Sequence, residues 1–125
     1  MTRTGLTILL VDDDLIYLDV ATDALRFLGY DVVSATTGES ALAKLQEGGI
    51  DLLLTDANLT PSMDGFALAT AARAAHPDLP VMYQSGDTAL SRLPATAPEG
   101  VFIGKPSPLE QLTEAIQSSI GKGIA

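Results

Sequence analysis

Five polar residues stand where aliphatic runs end: Asp12 and Asp13 after LTILLV, Asp56 after DLLLT, Ser85 after PVMYQ and Lys105 after VFIG. Three carboxylates brought into one crevice repel one another unless something neutralises them. Oxygen-only donors with open positions suit Mg2+, a hard octahedral ion that keeps several waters and is bound through one or two carboxylates plus phosphate. A carboxylate, that ion, a hydroxyl and an ammonium suffice for phosphoryl transfer to a carboxylate. Asp56 is then the candidate nucleophile, and Ser85 and Lys105 the groups that bind the phosphoryl oxygens. Taken singly, each residue has a plainer reading. Asp12 or Asp13 is a helix-start acid, Asp56 a solvated acid opening a turn, Ser85 a turn residue beside Gly86, and Lys105 a solvated base before Pro106. Complementary chemistry at four separate strand ends is what argues for a site.

The elements that must deliver these groups can be read from periodicity. Leu6 to Val11 lacks the alternation of a half-exposed strand and reads as a parallel strand buried on both faces. Leu18, Ala21, Leu25 and Leu28 then recur at helical spacing, with Asp14 as N-cap and Gly29 just past the end. Asp31 to Ala35 is a second strand. Thr37 and Glu39 open a helix that turns Ala41, Leu42 and Leu45 inward and stops at Gly48 and Gly49. The third strand runs from Ile50 to Thr55 and ends at Asp56. Asp64 caps a helix carrying Phe66, Ala69 and Ala72, which must end before Pro77. Pro80 to Gln84 is a fourth strand and Val101 to Ile103 a fifth. Between Asp87 and Gly100, Pro94, Pro98 and weak periodicity leave room for at most a short or irregular fourth helix. In the last helix, Ser107 and Glu110 form a capping box, Pro108 takes the first position, and Leu109, Leu112, Ile116 and Ile120 make one apolar face.

Five strands alternating with helices predict one doubly wound α/β domain over 1–125, a five-stranded parallel sheet of flavodoxin-like order 2-1-3-4-5. That order makes the first and third strands neighbours at the switch point, where Asp13 and Asp56 converge. A chain of 125 residues, 46% hydrophobic and 5% aromatic, can bury an aliphatic core. Its formal net charge of -9 repels phosphate backbones and anionic lipid, which argues against direct binding to nucleic acid or membranes. It suits a cation site or a basic partner. The absence of cysteine excludes thiol catalysis and fits a reducing compartment. No secretory or spanning segment is evident, so a cytoplasmic location is expected.

LLVDD at 9–13, LLLTD at 52–56, PSMDG at 61–65, PVMYQSG at 80–86 and GKP at 104–106 together resemble a response-regulator receiver domain, from Ile8 to Ile120. The resemblance implies that Asp56 is the phosphoacceptor of a two-component system or phosphorelay. It also implies that Asp13 is a direct Mg2+ ligand, Asp12 its water-mediated partner and the Asn58 carbonyl a third protein ligand. Ser85 and Phe102 take the switch positions, the ring moving inward as the hydroxyl is drawn to the phosphoryl group. The implied partner is a histidine kinase or a histidine phosphotransfer protein, with output through an unidentified protein or attached domain. On this reading the chain catalyses only its own phosphorylation and dephosphorylation.

Three features depart from the commonest pattern. The loop from Asp56 to Met63-Asp64-Gly65 is one residue longer, similar to receivers attached to hybrid histidine kinases, which puts the position of Asn58 in question. Gln84-Ser85-Gly86 replaces a Thr-Ala pair, and the segment before the fifth strand is irregular. Two other readings stay open. Asp12-Asp13-Asp14 contains the Asp-x-Asp of a haloacid dehalogenase-like phosphatase, whose nucleophile would be Asp12, but Asp56 then has no role. A receiver-like interaction module that takes no phosphate is the second. A P-loop is excluded because Glu99 stands where its first glycine belongs and Pro106 follows Lys105.

Overall fold

The computed structural model describes residues 4–59, 63–86, 98–105 and 107–124. Five strands, β1 (Thr7–Val11), β2 (Asp31–Ala35), β3 (Leu52–Asp56), β4 (Val81–Ser85) and β5 (Val101–Gly104), pair in parallel in the order β2-β1-β3-β4-β5. Four helices lie among the described residues: α1 (Leu15–Phe27), α2 (Gly38–Glu47), α3 (Gly65–Ala75) and α4 (Leu109–Ile124). The predicted topology is the observed one. Residues 87–97, where the short extra helix was expected, lie outside the described residues.

Strand alternation divides the core in two. Ile8, Leu10, Leu52, Leu54, Met82 and Ile103 face α1 and α4, where Leu18, Leu25, Leu112 and Ile116 meet them. Leu9, Val11, Leu53, Val81 and Tyr83 face α2 and α3, where Ala41, Leu45, Leu68, Ala69 and Ala72 meet them. Helices on both faces explain why LTILLV and DLLLT read as unbroken apolar runs. A strand covered on only one side would alternate.

Three helix starts follow the sequence signals. The Asp14 carboxylate accepts from the backbone N–H of Ile16 and Tyr17, Thr37 Oγ1 from Ser40, and Asp64 Oδ1 from Ala67. Gly29, with φ of 100°, carries the chain out of α1 in the left-handed region that a Cβ disfavours. Strand bounds shift by a residue or two from expectation, and one side chain faces the other way. The third strand begins at Leu52, and Asp51 brackets the start of β1, its N–H donating to the Thr7 carbonyl and its carboxylate accepting from the Thr7 N–H, both at 2.8 Å. Leu109, predicted to face inward, is 42% exposed, and the inward face of α4 begins at Leu112. The Ser107 hydroxyl donates to the Gly104 carbonyl, fastening the approach to α4 onto the end of β5. No helix among the described residues is long and apolar enough to cross a membrane.

Candidate functional site

One alternation phase builds the site. Ile8 and Leu10 of β1 point toward α1 and α4, and the next residue in that phase is Asp12. Leu52 and Leu54 lead in the same way to Asp56, Met82 to Gln84, and Ile103 to Lys105. Where the apolar layer runs out at the carboxyl edge, the same face of the sheet therefore turns polar. Asp56 and Gln84 are register partners on adjacent strands.

The charged groups meet directly. Lys105 Nζ donates to Asp12 Oδ2 at 2.8 Å and to Asp56 Oδ2 at 3.1 Å. The second oxygen of each acid is held by backbone: Asp14 N–H donates to Asp12 Oδ1 and Asn58 N–H to Asp56 Oδ1, both at 2.9 Å. Asp12 is fully buried and Asp56 nearly so, whereas Asp13 is exposed. One carboxylate oxygen from each of Asp12, Asp13 and Asp56 lies within 4.8 Å of the others. A set of carboxylate oxygens with one exposed member matches the donor preference of a hard divalent cation and leaves it a solvent-facing side.

Burial pushes the Asp56 pKa up and the Asp12 charge adds to this. The Asn58 N–H and the Lys105 ammonium act in the opposite direction without cancelling it. For Lys105, burial works against the cation, but its bonds to Asp12 and Asp56 and their charges outweigh that, and its pKa is raised. The ammonium thus stands in for a cation the acids need.

The loops that carry the site are laced to one another. Ala57 N–H donates to the Gln84 carbonyl at 2.8 Å, and Lys105 N–H to the Ser85 carbonyl at 3.0 Å. Gly65 opens α3 against the end of β3, with its N–H on the Ala57 carbonyl. A Cβ there would run into the Asp56 carbonyl oxygen and come within 2.9 Å of the Ala57 Cα, so only glycine fits.

The expected residues are not all equally close. Asp12, Asp13, Asp56 and Lys105 converge. Asn58 is exposed, and its N–H is the group that touches Asp56. Ser85 is buried at the end of β4, in the alternation phase of Val81 and Tyr83 rather than that of Gln84. Phe102 is half-buried on the α2 and α3 side, its ring stacked 6.3 Å from that of Tyr83. Residues 60–62 of the longer loop, and Asp87, fall outside the described residues.

Two neighbours were missed by the motifs. The Tyr17 ring lies 4.4 Å from Lys105 Nζ, and its hydroxyl donates to Gln84 Oε1 at 3.1 Å. The signals were faint: a Tyr one turn before Ala21 on the inward face of α1, and a Gln ending the apolar run VMY.

Comparison with known proteins places the chain in a family. The family model described as the response regulator receiver domain matches residues 8–117. The response regulator receiver protein CpdR of Brucella abortus is 36% identical over 115 residues, covering 90% of this chain and 95% of that protein. The transcriptional regulatory protein ZraR of Salmonella typhimurium is 32% identical over 124 residues, which is 96% of this chain but only 27% of ZraR. The crystal structure of a response regulator receiver protein from Sinorhizobium medicae superposes with a TM-score of 0.85 at 30% identity, covering 96% of this chain and 98% of that one. A CheY-like receiver domain from Methanospirillum hungatei gives 0.84 at 30% identity, covering 99% and 98%. With the family matched over nearly the whole chain and the five-stranded order shared, this chain belongs to the response regulator receiver domains of two-component systems.

Proposed function

We propose that Asp56 accepts a phosphoryl group from the phosphohistidine of a histidine kinase or histidine phosphotransfer protein, in the cytoplasm. The observation that carries this reading is the Lys105 ammonium bridging Asp12 and Asp56 at 2.8 and 3.1 Å, at the mouth of a carboxylate cluster. Asp12, Asp13, Asp56 and the Asn58 carbonyl would hold Mg2+, which supplies positive charge against the three phosphoryl oxygens. A similar protein in Brucella abortus, 35% identical over 121 residues that make up 13% of its length, is a sensor kinase, CckA. That relationship supports a histidine kinase as the phosphoryl source.

In the transfer, an Asp56 carboxylate oxygen forms a bond to phosphorus, the phosphorus to imidazole nitrogen bond breaks, and the imidazole leaves with its electron pair and takes up a proton. The Asn58 N–H fixes Oδ1, leaving Oδ2, the oxygen that Lys105 now holds, to face the donor. Lys105 exchanges its bond to Asp56 for one to a phosphoryl oxygen, and the Ser85 hydroxyl supplies a second donor. Drawing Ser85 toward the phosphoryl group shifts a pre-existing equilibrium in which Phe102 moves inward. Hydrolysis of the acyl phosphate by water resets the domain. Incubation with acetyl phosphate and Mg2+ tests the acceptor: intact mass should show one added phosphoryl group in the wild type and none in Asp56→Asn. Equal labelling of the variant would overturn the reading.

A further inference from the structure

Tyr17 has no part in the transfer just described, yet it touches two of the strand ends that make the site. Its ring covers Lys105 Nζ, and its hydroxyl is tied to Gln84. Gln84 is 1% exposed, and its Nε2 has no hydrogen-bond partner among the described residues. A buried amide in an otherwise apolar strand is unfavourable unless it is bonded, and among the described residues this side chain's bond is to the Tyr17 hydroxyl. The polar pair therefore fixes the plane of the ring at its far end, while α1 fixes it at the near end.

Lysine is a flexible four-carbon stem ending in a compact charge with three donors. Two of those donors are spent on Asp12 and Asp56. The aromatic face, negative at its centre, covers another side of the ammonium and replaces water there. We propose that Tyr17 is a positioning residue: its ring, pinned by the Gln84 amide, holds the Lys105 ammonium over Asp12 and Asp56, so that the charge is already in place when the phosphoryl group arrives. This rests on the reading of Asp56 as the phosphoacceptor, and it extends that site to α1, which otherwise only flanks it.

A double-mutant cycle on the labelling rate with acetyl phosphate and saturating Mg2+ tests it, using Tyr17→Leu, Lys105→Met and the pair. Tyr17→Leu should slow labelling about threefold to tenfold, the range that a partly desolvated cation–π contact supports. Tyr17→Phe keeps the ring but loses the hydroxyl that Gln84 pins, and should slow labelling less than Tyr17→Leu does. In the Lys105→Met background, Tyr17→Leu should have no further effect. A second readout needs no turnover: the Lys105 Hε resonances should be shifted upfield by the ring current in wild type and Tyr17→Phe, and move downfield in Tyr17→Leu. The proposal fails if Tyr17→Leu slows labelling by the same factor with and without Lys105, or if the Hε resonances do not move. If wild type takes up no phosphoryl group, the acceptor reading falls and this one with it. If wild type is labelled and the cycle is additive, positioning alone is lost.

Discussion

Asp56 carries its carboxyl in a place that resists charge. Its raised pKa means that burial outweighs the help from Asn58 and Lys105 while no metal is bound. The favourable contribution of the protonated acid is present below the ordinary carboxylate pKa and lost as pH rises through the raised folded value, so at neutral pH the carboxylate burdens the fold. Asp56→Asn should therefore raise the melting temperature at pH 7 in EDTA, and the gap to wild type should shrink on acidification. A variant less stable than wild type under those conditions would show that the Lys105 pair dominates. Tyr83 gives a second test, because burial pushes its pKa from 10.0 to about 12 while its hydroxyl donates to the Pro98 carbonyl at 2.8 Å. The unfolded tyrosine loses its proton first, so stability should fall between about pH 10 and pH 12, by on the order of 2 kcal/mol. Urea titrations across that range should show a shallower fall in Tyr83→Phe.

At the level of the element, strand ends do the positioning and glycine permits it. Gly65→Ala would force the start of α3 away from the Asp56 carbonyl and should cost about 1–3 kcal/mol, the usual penalty of overpacking. Chemical denaturation measures that loss, and slower labelling of Asp56 should accompany it. An aliphatic run ending in a charged or hydroxyl residue is legible from sequence, and a parallel sheet brings such ends to one edge. That topology predicts Asp13 beside Asp56, whereas the pairing of Lys105 with Asp12 and Asp56 depends on which face each end takes, and unbroken apolar runs do not display that. The link between Tyr17 and Gln84 spans 67 positions and depends on how α1 seats on the sheet, which no local pattern encodes.

Across the whole molecule the formal net charge is -9, and three of the acids meet at a single point beneath one lysine. A bound divalent cation should therefore act on the global fold. Mg2+ at a hundred times its dissociation constant should add about 2.7 kcal/mol to the unfolding free energy, and Asp13→Ala should remove most of that gain. Retention of the full gain in the variant would place the ion elsewhere. The doubly wound order was legible because continuous apolar strands alternating with helices leave few topologies open, whereas the 87–100 segment, with its two prolines and weak periodicity, carried no comparable signal. If Asp56 takes the phosphoryl group from a phosphohistidine, a map of the acyl phosphate will show it. After phosphotransfer from a histidine kinase, borohydride reduction and peptide sequencing by mass spectrometry should find the modification at Asp56 alone. Modification at Asp12 or Asp13, with Asp56 untouched, would contradict it.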